Sequence, residues 1–63
     1  MKLYDIITKD AAEPSNNYSV QVYEHLLQAH VTAAVEEIIK HFEIGDTLEI
    51  TKAPYILIVE RIS

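Results

Sequence analysis

The stretch Tyr55-Ile56-Leu57-Ile58-Val59 decides the fold, because it places five large apolar side chains in a row. Successive side chains of a β-strand point to opposite faces of its sheet, so Tyr55, Leu57 and Val59 share one face and Ile56 and Ile58 the other. In a sheet with a helix on one side and water on the other, only alternate positions should be apolar. The sequence therefore predicts a strand that needs cover on both faces.

We expect a second protein chain to cover one of these faces. At about 25 cal/mol per Å² of buried apolar surface, two or three exposed side chains of this size forfeit several kcal/mol. A domain this small has a total stability of only about 5 kcal/mol. We prefer a homodimer that packs sheet on sheet with its helices outside. The predicted interface, to a second copy or to another protein, is Tyr55, Ile56, Leu57, Ile58 and Val59.

Alternative arrangements stay open for the same strand. The loop at residues 10–17, which contains Ala11 and Ala12, could fold over the second face, or the strand could be central and well covered. The strand could also lie at an edge and add to a partner's sheet, although Glu60 and Arg61 at its end discourage indiscriminate pairing. These arrangements differ in whether the chain needs to associate.

Three other segments have plain strand or loop signals. Lys2–Lys9 is rich in β-branched and aromatic residues and predicts the first strand. Residues 10–17 are turn formers and predict a loop. Leu48–Lys52 alternates between apolar and polar residues, and Ala53-Pro54 separates it from the strand at Tyr55–Ile62. The last two strands therefore predict a hairpin.

The segment Tyr18–His30 carries two overlapping periodicities. Apolar residues alternate at its beginning, as in a strand, but also recur at helical spacing through to Ala34. The β-propensity of its residues favours a strand from Tyr18 to about Glu24. The alternative is a single helix of about 24 residues, which would overhang the strands.

The segment Thr32–Phe42 has one apolar face and predicts a helix. Thr32 is a suitable cap if the helix starts late, and Gly45 is expected to end it. On the polar face, Glu36 and Lys40 are spaced to form an ion pair.

The predicted fold class is therefore α+β, with a small antiparallel sheet of three to four strands packed on one helix. The preferred order is ββαββ, and the alternative is βαββ. The 63 residues predict one domain over 1–63, since a chain of this length buries only about 60% of its unfolded surface. Because the chain has no cysteine, its stability must come from packing, within or between subunits.

Charge and hydropathy exclude several classes of partner. The formal net charge is -5, and the five basic residues are scattered, so we expect no direct nucleic-acid binding. No apolar stretch reaches the roughly 18 residues that span a bilayer, and residues 1–5 lack the basic start of a signal peptide. We therefore expect a cytoplasmic protein that does not bind membranes.

Motifs for catalysis, cofactors or metals are not found. His25 and His30 lie five apart, which suits neither adjacent helical turns nor one face of a strand, and His41 stands alone. The single glycine excludes most phosphate-binding loops. We therefore expect no enzyme activity, no cofactor and no metal. Glu36, Glu37 and Glu43 predict a solvated acidic surface, or a partner-facing one that mimics the charge of a nucleic acid.

The functional expectation is a non-enzymatic acidic protein-interaction module that occludes a protein partner as an inhibitor or accessory factor. Stand-alone acidic domains of this size are often encoded by phages and other mobile elements, which is an analogy of size and charge. The alternative is a small-ligand-binding oligomer in which Tyr55 and Tyr23 line a pocket between subunits.

Overall fold

The computed structural model describes all 63 residues. Its centre is a four-stranded antiparallel sheet in the order β2-β1-β4-β3, which agrees with the predicted α+β class. The strands are β1 (Leu3–Asp10), β2 (Tyr18–Tyr23), β3 (Thr47–Lys52) and β4 (Tyr55–Arg61). β1 and β4 are the central pair, and β2 and β3 are the edges.

Two short helices cover one side of this sheet. They are a 3-10 helix at Glu24–Ala29 and the α-helix α1 at Ala33–Ile39, and together they are the helical layer. A further 3-10 helix, Pro14–Asn16, lies between β1 and β2. No helix of the structure has the length and apolar character needed to cross a membrane.

The core lies between the helical layer and the sheet. Ile6 at the centre of β1 pairs with Val20 on one side and with Val59 on the other. Leu27 and Ile39 of the helical layer belong to the same buried cluster. The buried apolar residues of this core are Tyr4, Ile6, Val22, Leu27, Ile39 and Val59.

Tyr4 joins the sheet to both helices. Its side chain is fully buried, and its hydroxyl oxygen lies 3.3 Å from a carboxylate oxygen of Glu24 and 3.4 Å from the carbonyl oxygen of Ile39. Burial raises the pKa of this hydroxyl above its usual value, and the negative charge of Glu24 adds to the effect. Tyr4 therefore acts as a neutral hydrogen-bond donor inside the core.

The ambiguous segment is a strand followed by a short helix. Tyr18–Tyr23 forms β2, so the alternative of one long helix is wrong. The 3-10 helix at Glu24–Ala29, which turns the chain from β2 towards α1, was not predicted. The two periodicities of the sequence overlap because the strand and this helix use consecutive residues.

The predicted end of α1 at Gly45 is wrong, because α1 stops at Ile39. Beyond it, the Arg61 guanidinium donates a 2.7 Å hydrogen bond to the Phe42 carbonyl oxygen. Gly45 keeps a positive φ of 95°, and its N–H donates to the carbonyl oxygen of Arg61. These hydrogen bonds hold residues 42–45 against β4, so the chain does not continue as a helix. At the other end, Thr32 caps α1 as predicted, since its hydroxyl accepts from the N–H of Val35.

Asp10 fixes the loop between β1 and β2. One of its carboxylate oxygens accepts hydrogen bonds from the N–H groups of Ala12 and Glu13, at 3.0 and 3.1 Å. The N–H of Asp10 donates to the side-chain oxygen of Asn17 at 2.7 Å. The side chain of Asp10 lies on the helical side of the sheet, in the same register as Tyr4 and Ile6, and it is buried. The loop is thus tied to the helical side.

β4 is a central strand, paired with β1 along one side and with β3 along the other. The alternative in which this strand is an edge that adds to a partner's sheet is therefore wrong. Its backbone groups are already used by two neighbours. β3 and β4 form the predicted hairpin around a cis Ala53-Pro54 peptide bond.

Two neighbouring isoleucines of α1 test the position of the core. Ile39 is fully buried and Ile38 is 55% exposed. We expect Ile39→Ala to lower the free energy of unfolding by about 2–5 kcal/mol, because it leaves a cavity in the core. Ile38→Ala, the matched control, should change it by less than about 0.5 kcal/mol. Urea titration followed by circular dichroism measures both, and equal losses would contradict the assigned core.

The raised pKa of Tyr4 predicts how stability depends on alkaline pH. The unfolded chain loses this proton near the ordinary value of 10.0, and the folded chain only above it. The contribution is therefore complete below pH 10 and is lost as pH rises towards the folded-state pKa. Tyr4→Phe should flatten this decline in denaturation curves recorded from about pH 8 to 11. Tyr55→Phe, at an exposed tyrosine, should keep the wild-type slope, and a wild-type slope in Tyr4→Phe would refute the prediction.

Candidate functional site: the open face of the sheet

The side of the sheet away from the helical layer carries no helix, and we call it the open face. The core residues Tyr4, Ile6 and Val59 point to the helical layer, so their neighbours in β1 and β4 point the other way. Ile7 lies directly opposite Ile58 across the central strand pair. The open-face residues of β1 and β4 are Leu3, Asp5, Ile7, Lys9, Ile56, Ile58 and Glu60.

Three isoleucines form the apolar centre of the open face. Ile7, Ile56 and Ile58 are each partly exposed, and they lie on the side of the sheet that carries no helix. Such a group is smaller than a full core, yet it is contiguous across the two central strands. It is therefore the part of the open face that gains most from contact with another apolar surface.

Carboxylates surround this centre. Asp5 on β1 lies directly opposite Glu60 on β4, and Glu49 on β3 lies opposite Ile58. Like charges opposite each other in a sheet are destabilising. One carboxylate oxygen of Asp5, Oδ1, is buried and has no hydrogen-bond partner. The only cation on this face is Lys9, at the far end of β1. The Asp5–Glu60 pair is thus a place where a donor from outside would be stabilising.

The predicted interface residues do not lie on one surface. Ile56 and Ile58 are on the open face, whereas Tyr55 and Leu57 line a cleft on the helical side. Val59 is fully buried in the core and has no surface to offer a partner. The alternation predicted from the sequence therefore divides this strand between two surfaces and the core.

The cleft exists because the helical layer covers only part of the sheet. Its volume is about 870 Å³, and its walls are mainly apolar. The floor comes from the sheet and the opposite wall from the chain around α1. Residues that line it include Tyr18, Val20, Val31, Val35, Tyr55 and Leu57. Tyr23, which the sequence placed in a pocket with Tyr55, is elsewhere and stacks on His25 at 6.3 Å.

The predicted acidic surface is partly neutralised. Lys40 pairs with Glu37 at 2.7 Å rather than with Glu36, and this hydrogen bond lowers the pKa of the Glu37 carboxyl. Glu43 lies beyond the end of α1, where its N–H donates to the Asp46 carboxylate. Glu36, Glu37 and Glu43 therefore do not share one helix face, and their charge is less concentrated than the sequence indicates.

The histidines lie apart from one another and are exposed. His30 lines the cleft, His41 lies 3.9 Å from Glu37, and His25 stacks on Tyr23. The structure has no group of three or more His, Cys, Asp or Glu side chains that could hold a metal ion.

Sequence reasoning missed Asp5, Ile7 and Glu60 as members of one surface. The alternation of Leu3, Asp5, Ile7 and Lys9 along β1 was available as a signal. Their proximity to Glu60 depends on the pairing of β1 with β4, which are far apart in the chain. Only the register brings the two carboxylates together.

Comparison of the chain with models of known protein families, with curated proteins and with solved structures finds no match.

The like-charge pair predicts an increase in stability on neutralisation. Glu60→Gln should raise the free energy of unfolding by about 0.2–1 kcal/mol, because it removes the repulsion with Asp5. Glu49→Gln is the matched control, since Glu49 faces Ile58 rather than an acid. The gain should shrink at high salt, which screens surface charges. Denaturation curves at low and high salt measure both variants, and a loss of stability in Glu60→Gln would contradict the repulsion.

Proposed function

We propose that this chain is a non-enzymatic protein-binding module whose open face docks on a basic surface of another protein and occludes it. In this role it acts as an inhibitor or accessory factor. The observation that carries the proposal is the composition of the open face, three isoleucines bordered by Asp5, Glu49 and Glu60.

The Asp5–Glu60 pair supports a cationic partner. Two carboxylates held opposite each other cost free energy that a cationic donor from outside can recover. An arginine of a partner, with its planar fork of N–H groups, suits two adjacent carboxylates. In the isolated chain this arrangement is unfavourable, which is common where binding rather than stability sets the sequence.

The net charge of the chain acts in the same direction. With -5 overall, the chain attracts basic proteins and repels nucleic acids. Electrostatic complementarity of this kind mainly speeds association and discriminates between partners, while the isoleucines supply apolar contact. The open face suits this role better than the acidic residues of α1, because Lys40 already neutralises Glu37.

A second candidate function is the binding of a small apolar ligand, and the cleft favours it. Its volume of about 870 Å³ lies in the range of ligand sites, and Tyr18 and Tyr55 at its rim offer aromatic contact. Native mass spectrometry of the purified protein separates the two candidates. A co-purifying small molecule would favour the ligand-binding function.

A pair of matched substitutions tests the protein-binding function. Ile58→Asp places a charge in the apolar centre of the open face, and Ile38→Asp places the same charge on the exposed side of α1. In capture experiments from lysate of the native host, the amount of partner bound by Ile58→Asp should be about one tenth of the wild-type amount or less. Ile38→Asp should capture as much as the wild type. Circular dichroism verifies that both variants are folded.

Two results would refute the proposed surface. The first is equal capture by folded Ile58→Asp and by the wild type. The second is loss of capture in Ile38→Asp alone, which would move the binding surface to the helical layer. Capture should also fall as salt is raised, because the proposed contact is partly between charges.

A further inference from the structure

The edge strand β2 has none of the usual protections against pairing with another strand. Its sequence, Tyr18-Ser19-Val20-Gln21-Val22-Tyr23, contains no charge, proline or glycine. Natural sheets protect their edges with charged residues, proline or bulges. The opposite edge, β3, follows this rule, since it carries Glu49 and Lys52 and is followed by Pro54. The two edges of one sheet thus differ in whether they admit a further strand.

The hydrogen-bond pattern identifies which backbone groups of β2 are free. Glu24 donates to the carbonyl oxygen of Lys2, whereas Leu3 exchanges hydrogen bonds with Ile62 and Ser63 on the β4 side. Partners alternate along a strand, so the even-numbered residues of β1 bond to β2. By the register, these partners in β2 are Tyr18, Val20 and Val22. The N–H and C=O groups of the intervening residues, Ser19, Gln21 and Tyr23, therefore point outwards.

We propose that a second copy of this chain pairs with β2 in antiparallel orientation, about a two-fold axis through Gln21. The two four-stranded sheets then become one continuous sheet of eight strands. About six backbone hydrogen bonds form, two for each pair of facing residues. Gln21 faces Gln21 of the second copy, and Ser19 faces Tyr23.

The side chains of β2 are self-complementary in this register. On the helical side, Val20 lies opposite Val22 of the second copy, which is a favourable β-branched pair. On the open face, the Gln21 amides can bond to each other, and Ser19, Gln21 and Tyr23 are all exposed in the single chain. No like charges meet along the strand.

The area of one open face is small for a protein interface, and a dimer would double it. The need for a larger area rests on the proposed function, in which the open face binds another protein. Four strands spaced about 4.8 Å apart and about 20 Å long present roughly 400 Å². A stable protein interface uses about 800 Å² on each partner. Because the two-fold axis is normal to the sheet, both open faces lie on the same side. The dimer therefore offers one docking surface of the usual size.

Packing two open faces against each other, the arrangement expected from the sequence, is less favourable. Each face carries the carboxylates of Asp5, Glu49 and Glu60 and the single cation of Lys9. Face-to-face contact would enclose both sets of carboxylates with only the two lysines to balance them. Pairing at β2 leaves the exposure of the open-face carboxylates unchanged.

The test compares the oligomeric state of matched charge variants. Gln21→Lys places two lysines opposite each other at the proposed axis, where like charges destabilise pairing. Thr51→Lys places the same charge on the open face of β3, at the other edge. Sedimentation equilibrium from about 10 µM to about 1 mM gives the dissociation constant of each protein. The wild type and Thr51→Lys should dimerise equally. Gln21→Lys should dimerise about two- to fivefold more weakly, since each new lysine also faces Asp5 of its own chain, which offsets part of the repulsion.

Three outcomes would overturn the proposal. A wild type that stays monomeric over the whole range rejects the dimer. A dimer that Gln21→Lys leaves unchanged, or that Thr51→Lys weakens equally, assigns the interface elsewhere. If the chain is monomeric and β2 pairs only with a strand of another protein, the edge of β2 binds that protein and not a second copy of this chain. Sedimentation uses the purified chain alone, so it tests the dimer without the protein partner. The capture experiment tests the protein-binding function separately, and one can fail without the other.

Discussion

The pairing of β1 with β4 is the interaction on which the rest of the structure depends. These central strands carry Tyr4, Ile6 and Val59, half of the buried apolar core, and they hold both edge strands in register. The helical layer that covers them consists of one 3-10 helix and the seven residues of α1. So short a layer covers one side of the sheet, and that side only in part. The open face and the cleft follow from this shortage of helical cover, whereas the unprotected edge of β2 follows from its uncharged sequence.

The chain nevertheless has the compactness of a folded monomer. Its accessible surface of 4216 Å² is close to the roughly 4100 Å² expected for its mass. We therefore infer association from the arrangement of the surface and not from its extent. Isoleucines border uncompensated carboxylates on the open face, and one edge strand has free backbone groups without any charge to protect them. Small domains have a total stability of only about 5 kcal/mol, so such features are costly, and this supports the proposed binding role.

The sequence predicted the local elements better than the surfaces they form. The hairpin at Ala53-Pro54, the strand beginning at Tyr18 and the Thr32 cap depend on neighbouring residues, and local propensity is enough to find them. The early end of α1 depends on Arg61, which is distant in the chain and takes the Phe42 carbonyl. The Asp5–Glu60 pair likewise depends on strand register. The residues Tyr55–Val59 lie on two surfaces and in the core, and the sequence could not assign them. Alternation along a strand gives two faces, but it does not say which face the helices cover.

We propose that the sheet is the binding part of this molecule, through its β2 edge and its open face. Amide hydrogen exchange measured by NMR at low and high protein concentration tests it most directly. If β2 pairs with a second copy, the outward amides of Ser19, Gln21 and Tyr23 become protected from exchange as the protein concentration rises. The equivalent outward amides of Glu49 and Thr51 on β3 should exchange rapidly throughout. Equal exchange at both edges at every concentration would contradict pairing at β2.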